Sequence, residues 1–370
     1  MDINRRILVY GPAYLDVVVE TDQVLVPGAQ ALLLDQSLPA VDVAPRSDGL
    51  LQILGPTGDA LTFQLPPSST DAELTCTLAE PVLARLLGAD TTQTVTGIFP
   101  VAQCRTQLGG MGAGYALTFE GTLRMPLGAD AVGRAVQAML SAQQIHVAPN
   151  MLPTCPSDTT LLLLSARGDK LAIGVRQAMV RWCTNDDDRA LVASCDALVF
   201  CGAPNALLAE ILSWRPQVPV MCAPAMRNVQ DTDPPLISLA GDIHYLTMNA
   251  LEWAHLAGRE LMRDQVPVIT ITDGPHGSYV YYHGRETFVP SISRTTPANT
   301  NRAGETYSAT FFKVLRRACP NFFRTGVITT ELAELAGEIA TRQASRQLDL
   351  VEFAFPPDDW VGEVTPCGVT

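Results

Sequence analysis

The feature that most constrains the fold of this sequence is an alternation of apolar runs and helical stretches after residue 109. Runs of strand length are found at 161–165, 197–201, 218–222 and 268–272. Stretches with helical periodicity are found at 131–144, 205–213 and 249–260. This alternation predicts a mostly parallel sheet with helices on both faces. Because ligands bind such sheets at the carboxyl ends of the strands, the motifs that follow strands are the first candidates for function.

Residues 21–105 have a different character, with scattered proline and glycine. The apolar runs 50–54 and 61–65 flank the turn 55–59, a pattern typical of a β-hairpin. The many apolar residues predict a folded β-rich lobe and not a solvated linker. The sequence thus predicts an α/β core of residues 1–20 and 106–360, the β-rich lobe of residues 21–105, and a C-terminal tail of residues 361–370.

Composition and charge exclude several classes of protein. The 370 residues are 47% hydrophobic and carry a formal net charge of −13, so the chain can build a large core but has no basic field for nucleic acid or an acidic membrane. No uninterrupted apolar run is long enough to cross a bilayer. The first residues lack the layout of a signal peptide, and the nine cysteines form no CxxC pair. We therefore expect a cytoplasmic protein with buried free thiols.

The segment 299–307 opens a helix that is predicted to end near residue 318. Ala303 and Gly304 lie in its first turn and are small enough to expose backbone N–H groups, which together with the helix dipole form an anion site. Glu305 adds a carboxylate that can accept a proton from a hydroxyl group. A glutamate in a first turn is also an ordinary capping choice, so this motif alone does not establish catalysis.

Three further motifs carry similar ambiguity. The glycine-dense turn Gly109-Gly110-Met111-Gly112-Ala113-Gly114 lets a ligand approach the backbone, or only joins a strand to a helix. Thr272, Gly274 and Gly277 follow a strand and form a ligand-binding turn or a plain connection. Asn249 and Glu252 place two polar groups together, which is equally the pattern of a helix cap.

Taken in their order along the chain, the motifs resemble those of the ribokinase-like family of carbohydrate and nucleoside kinases. The resemblance covers residue 5 to about 35 and about 94 to 318. It rests on Gly11 with Asp16, Gly109-Gly110, the Gly128-Ala129-Asp130-Ala131-Val132-Gly133 element, Asn249 with Glu252, Thr272 with Gly274 and Gly277, and the segment 299–307.

The resemblance implies a fold, a reaction and roles for these residues. It implies a ribokinase-like α/β core with an enlarged β-rich lid, ATP and Mg²⁺ as cofactors, a small hydroxylated acceptor, and a homodimer formed through the lid. It implies four kinds of role for the matching residues: acceptor binding by Asp16, Gly109, Gly110 and Gly114; nucleotide binding by Asn249, Thr272, Gly274 and Gly277; Mg²⁺ binding through water by Glu252; and catalysis by Arg302, Ala303, Gly304 and Glu305.

Three residues depart from the family pattern. Glu305 stands in place of aspartate, which moves the carboxylate by about an ångström. Arg302 replaces the first glycine of the signature, where it either clamps a phosphate or intrudes on the site of the transferred phosphate. Gly114 replaces a sugar-binding asparagine, which predicts an acceptor unlike ribose that fills the space left by this glycine.

Two further hypotheses remain open beside the kinase. A catalytically impaired family member could keep the pocket as a nucleotide-binding, sugar-binding or regulatory module, and the residues at 114, 302 and 305 motivate it. A dinucleotide-dependent oxidoreductase is disfavoured, because the first strand-turn, Gly11-Pro12-Ala13-Tyr14, lacks the G-x-G-x-x-G fingerprint.

Overall fold

The computed structural model describes most of the chain: residues 7–21, 31–34, 42–45, 50–54, 60–64, 73–77, 96–165, 170–292, 302–319, 322, 327–350 and 354–364. Residues 299–301 of the candidate catalytic segment and residues 365–370 of the predicted tail lie outside the described residues.

The strands of the described residues are, in chain order, β1 (Ile7–Tyr10), β2 (Tyr14–Thr21), β3 (Ala31–Leu34), β4 (Asp42–Pro45), β5 (Leu50–Leu54), β6 (Ala60–Gln64), β7 (Glu73–Thr77), β8 (Thr96–Gly109), β9 (Thr122–Gly128), β10 (His146–Leu152), β11 (Thr159–Ser165), β12 (Lys170–Val175), β13 (Ala197–Cys201), β14 (Val220–Ala223), β15 (Tyr245–Asn249), β16 (Val268–Thr272), β17 (Ser278–Tyr282) and β18 (Arg285–Val289). The α-helices are α1 (Met111–Phe119), α2 (Ala131–Ala142), α3 (Asp186–Ser194), α4 (Asn205–Ser213), α5 (Met226–Gln230), α6 (Ala250–His255), α7 (Arg259–Gln265), α8 (Ala303–Ala318) and α9 (Thr330–Gln347).

The first sheet confirms the predicted mostly parallel α/β core. Its strand order is β10-β9-β1-β13-β14-β15-β16-β17-β18. The strands from β10 to β16 are parallel to their neighbours, and β17 and β18 are added antiparallel at one edge. Parallel strands need crossover connections, which is why helices separate most of them along the chain.

Both faces of this sheet are covered by helices, and the side chains of strand β1 alternate between the two apolar cores that result. Ile7 and Val9 join a core that includes residues of α1, α2, α8 and α9. Leu8 and Tyr10 join a second core on the opposite face with residues of α3, α4 and α7. A strand that is buried on both faces needs a continuous apolar run, which β1 supplies.

A second sheet forms the predicted β-rich lobe, with strand order β3-β12-β11-β2-β8-β7-β6-β5-β4. The predicted hairpin is present, since β5 pairs antiparallel with β6. This sheet also contains β11 and β12, which lie in the range that the sequence assigned to the core, and β2, which begins in that range and ends one residue beyond it. Strand pairing between residues far apart in sequence produces this mixing, and the division into core and lobe stays a prediction.

The sequence missed several elements of the core. It did not predict β9, β10, β15 or α9, and the helix predicted at 249–260 is two short helices, α6 and α7. Gly258 separates them with a φ of +74°, a backbone conformation that ends a helix readily. Within the part of the chain that the structure describes, no helix combines the length and the apolar character that a membrane span requires.

Candidate active site

The carboxyl ends of the parallel strands bring several predicted site residues to one edge of the first sheet. Gly11 follows β1, and Asn249 and Thr272 are the last residues of β15 and β16. The register places Asn249 directly beside Thr272. The motifs found after strands therefore meet where ligands bind in sheets of this kind.

The first turn of α8 presents backbone donors at this edge. Its first intrahelical bond runs from the N–H of Thr306 to the carbonyl of Arg302 at 2.8 Å, so the N–H groups of Ala303, Gly304 and Glu305 precede the helical ladder. No described side chain caps this turn. Gly304 is exposed, and a Cβ added there would meet no described atom within 4 Å. An anion can therefore approach these donors directly.

A cavity of about 480 Å³ opens onto this turn. It brings together Thr272, Gly274 and Gly277, which were predicted to bind nucleotide, and Ala303 and Gly304, which were predicted to bind phosphate. Its other lining residues are Pro275, Ser278, Ser291, Ile292, Tyr307, Thr341, Ala344, Ser345 and Leu348. This size is in the range of small-molecule sites.

One wall of the cavity is the turn between β16 and β17. The N–H of Asp273 donates to the carbonyl of Gly277 at 2.8 Å, and φ is +51° at Gly274 and +117° at Gly277. A Cβ at Gly277 would lie 2.5 Å from the carbonyl oxygen of Val289. The segment is thus a tight connection between antiparallel strands as well as a cavity wall, and the two interpretations of its sequence are compatible.

Asp16 lies buried in β2, beside the end of β8. The side chain of Gln107 donates to Asp16 Oδ2 at 3.3 Å. A Cβ added at Gly109 would lie 2.3 Å from Asp16 Oδ1, so only glycine fits this position. Gly110 has a φ of +99°, and a Cβ there would lie 2.3 Å from the carbonyl oxygen of Pro12. The predicted acceptor-binding residues Asp16, Gly109 and Gly110 are therefore packed against one another.

Gly114 lies in α1 and faces the catalytic candidate. A Cβ added there would lie 3.9 Å from Glu305 Cγ and 3.5 Å from Phe355 Cζ. The space that the sequence assigned to a bulkier acceptor is therefore bordered by an aromatic ring of the protein itself. The sequence carried no signal for Phe355, because it lies about fifty residues after the last motif.

The guanidinium of Arg302 lies within electrostatic reach of the Asp16 carboxylate. Its Nη2 donates to the carbonyl of Leu108 at 3.3 Å. Burial lowers the pKa of its guanidinium, and the nearby carboxylates of Glu305 and Asp16 oppose that shift. The guanidinium thus lies near two of the other predicted site residues, and whether Arg302 clamps a phosphate or intrudes on the site of the transferred phosphate stays a prediction.

Asn249 and Glu252 form a reciprocal helix cap at the start of α6. The N–H of Glu252 donates to Asn249 Oδ1 at 2.8 Å, and the N–H of Asn249 donates to Glu252 Oε2 at 3.0 Å. Burial raises the pKa of Glu252 to about 7, with the charge of Glu305 acting in the same direction. Glu252 thus lies within electrostatic reach of the catalytic candidate while it also serves as a cap.

A hydrogen-bonded chain that the sequence did not predict supports the first turn of α8. Ser308 Oγ donates to the carbonyl of Gly304 at 2.8 Å, and Tyr115 Oη lies 2.6 Å from Ser308 Oγ. Burial and the charge of Glu305 raise the pKa of Tyr115 well above its ordinary value, so this hydroxyl stays protonated. The glycine-rich motif, which Tyr115 directly follows, is in this way connected to the anion site.

Comparison with known proteins points to one family. Residues 102–346 match the model of the pfkB family carbohydrate kinase. Among solved structures, ribokinase from Giardia lamblia is similar with a TM-score of 0.65 and 12% identity, over 97% of this chain and 98% of that one. A nucleoside kinase from Methanocaldococcus jannaschii gives a TM-score of 0.62 and 12% identity, over 97% of each chain. Arabidopsis thaliana ribokinase complexed with ribose and ATP gives a TM-score of 0.58 and 16% identity, over 92% of each chain. A comparison with curated protein sequences finds no match.

Proposed function

Because this chain belongs to the pfkB family of carbohydrate kinases, we propose that it transfers the γ-phosphoryl group of ATP to a hydroxyl of a small sugar, nucleoside or polyol. The observation that carries this proposal is the cavity in which Thr272, Gly274 and Gly277 meet the first turn of α8. A nucleotide in this cavity would direct its phosphates at backbone donors, next to the carboxylate of Glu305.

The first turn of α8 supplies two functions in this proposal. The N–H groups of Ala303 and Gly304 stabilise the negative charge of the transferring group, since they precede the helical ladder and no described atom lies within 4 Å of a Cβ placed at Gly304. Glu305 accepts the proton of the acceptor hydroxyl as the hydroxyl oxygen bonds to the γ-phosphorus and the bond from that phosphorus to ADP breaks. Contacts from Ser308 and Tyr115 hold this turn in position.

The acceptor lies between Glu305 and Asp16 in this proposal. Asp16 is buried and is held by Gln107, so its carboxylate has a fixed orientation. The guanidinium of Arg302 lies near both carboxylates and limits their mutual repulsion. A homodimer formed through the second sheet stays a prediction.

Glu252, oriented by Asn249, would hold Mg²⁺ through water. The residues fit the ion, because Glu252 supplies carboxylate oxygen and Mg²⁺ is commonly held by one or two carboxylates together with water. When bound, Mg²⁺ neutralises phosphate charge. The chain's own contribution is to orient the carboxylate through the reciprocal cap.

The Glu305→Gln variant tests the catalytic role. It keeps the size of the side chain but removes the proton acceptor, so we expect kcat to fall by about a hundredfold or more. The measurement is ADP release with ATP and Mg²⁺ across a panel of sugars, nucleosides and polyols. Exposed Asp264→Asn on α7 is the matched control. Equal turnover by wild type and Glu305→Gln would remove the catalytic assignment.

The position of Arg302 favours a second candidate, a binding or regulatory protein with impaired catalysis. Its guanidinium lies near both Asp16 and Glu305, where it can occupy part of the acceptor site. A thermal shift with ATP or ADP plus Mg²⁺ distinguishes the two, because any ligand that binds the folded state raises its melting temperature. Stabilisation by nucleotide without turnover of any acceptor would favour this candidate.

A further inference from the structure

The C-terminal segment 354–364 lies after the residues that match the family model, and it is fastened to the two helices that flank the cavity. Asp358 pairs with Lys313 of α8, and Asp359 pairs with Arg346 of α9 at 2.6 Å. Trp360 is only 2% exposed and belongs to the apolar core beneath these helices. The segment is therefore an integral part of the fold.

This anchor fixes the position of Phe355. Two prolines, Pro356 and Pro357, separate the ring from the anchor and restrict the backbone between them. The amide of Gln343 donates to the carbonyl of Pro357 at 3.2 Å, which ties this short connection to α9. The half-buried ring of Phe355 therefore has a defined place beside Gly114 and Glu305.

The neighbouring strand ends are also lined by apolar groups. A Cβ at Gly202, after β13, would lie 3.6 Å from Met111 Sδ, 3.7 Å from Ala225 Cβ and 3.8 Å from Pro12 Cδ. The glycine-rich turn connects this cluster to Gly114, because Met111 begins α1 and Gly114 follows in its first turn. The guanidinium of Arg227 donates to the carbonyl of Gly202 at 2.9 Å and covers the backbone there.

From this arrangement we propose that Phe355 is a specificity-determining residue of the acceptor site and selects acceptors with an aromatic face, such as nucleosides, over free sugars. This inference rests on the proposed function, since it takes the space between Asp16 and Glu305 as the acceptor site. The ring of Phe355 borders the space beside Gly114, and an aromatic ring can stack on a nucleobase but donates and accepts no hydrogen bond with a sugar hydroxyl. The apolar groups around Gly202 lie at the same edge of the first sheet, after β13.

Phe355→Ala and Phe355→Leu test the proposal, with Leu261→Ala as the matched control because Leu261 is 55% exposed on α7. The probes are adenosine, uridine and ribose. Binding is measured by thermal shift without nucleotide, and transfer by ADP release with ATP and Mg²⁺. Wild type should prefer the nucleosides over ribose, and Phe355→Ala should lower that ratio by about tenfold, as expected for loss of a stacking side chain. Phe355→Leu keeps apolar bulk and so separates loss of stacking from unfolding.

An unchanged ratio in Phe355→Ala, or a wild type that prefers ribose or binds neither nucleoside, overturns the proposal. The two arms separate this inference from the kinase assignment. Nucleoside binding that depends on Phe355 but leads to no transfer leaves the inference standing and removes the assignment. Phosphoryl transfer whose nucleoside-to-ribose ratio is unchanged in Phe355→Ala supports the kinase assignment and overturns the inference about Phe355.

Discussion

At the scale of the residue, Arg302 is held in a backbone conformation that suits glycine. It precedes α8 with a φ of +66°, and its side chain reaches the carbonyl of Leu108. A non-glycine residue in this region is strained by about 1–2 kcal/mol. The hydrogen bond of the guanidinium to Leu108 and its attraction to the nearby carboxylates offset this strain.

We expect Arg302→Gly to be more stable than Arg302→Ala by about 1 kcal/mol. Both variants lose the guanidinium, so their difference isolates the backbone conformation. Urea unfolding of the two proteins measures it. Equal stability, or a more stable alanine variant, would show that the backbone at residue 302 is not strained.

Glu252 gives the site a predicted pH dependence. Because burial raises its pKa to about 7, the carboxylate is protonated below that pH and ionised above it. Binding of ATP with Mg²⁺ should therefore weaken as the pH falls below about 7, and Glu252→Gln should lose this dependence. Calorimetric titration from pH 6 to 8.5 checks both. The free energy of unfolding depends on pH in the opposite direction. Because the pKa of Glu252 is higher in the folded protein than in the unfolded chain, its protonation stabilises the fold at pH values below the unfolded pKa, and this stabilisation is lost as the pH rises through about 7.

At the scale of the element, Asp130 shows how one motif joins a strand, a helix and a loop. It caps α2 by accepting the N–H of Gly133 at 2.7 Å, and it accepts the N–H and hydroxyl of Ser157 at 2.8 and 2.7 Å. A Cβ at Gly128 would lie 2.2 Å from the carbonyl oxygen of Cys155, so this glycine is required by packing. The Gly-x-Asp-x-x-Gly element is accordingly structural in this chain.

Asp130→Ala should lower the free energy of unfolding by about 2 kcal/mol, through the lost cap and the lost bonds to Ser157. Burial raises the pKa of Asp130, but the hydrogen bonds from Ser157 and Gly133 outweigh it and leave the pKa below its ordinary value. The stabilisation is thus present above the unfolded pKa and is lost as pH falls through the folded one. Chemical denaturation at pH 7 and pH 3 measures this. A loss equal to that of the exposed Asp264→Ala would contradict the role.

At the scale of the whole molecule, a buried ion pair fastens α3 to the first sheet. Arg124 of β9 and Asp188 of α3 are almost completely buried, and two bonds of 2.9 and 3.0 Å join them. Tyr10 of β1 donates to the same carboxylate at 2.8 Å, and Asn185 accepts from Arg124 at 2.7 Å. These groups satisfy one another, so the pair is tolerated in the interior.

Asp188→Asn should destabilise the protein by about 3–5 kcal/mol, because it leaves the guanidinium of Arg124 buried without a balancing charge. The neighbouring exposed Asp187→Asn is the control and should change stability little. Equilibrium unfolding in urea compares the two variants with wild type. A loss within the range of the control would show that water or backbone carbonyls suffice for Arg124.

Part of this architecture was determined by local sequence. The four apolar residues of β1 predict a strand that is buried on both faces. The apolar residues that recur at helical spacing from Tyr307 to Ala318 predict a helix that packs through one face. The order of motifs was sufficient to predict a ribokinase-like fold and the candidates at residues 272–277 and 302–305. In each case residues close in sequence carry the information, because periodicity and turn chemistry act over a few residues.

Only the tertiary structure decided how separate segments meet. Phe355 beside Gly114, Arg302 beside Asp16, and Asp188 against Arg124 join residues that lie far apart in sequence, and nothing in their local pattern predicts the contact. The mixed second sheet depends in the same way on pairing between distant strands. Local preferences thus specify the elements, whereas packing against distant neighbours specifies the site that these elements form.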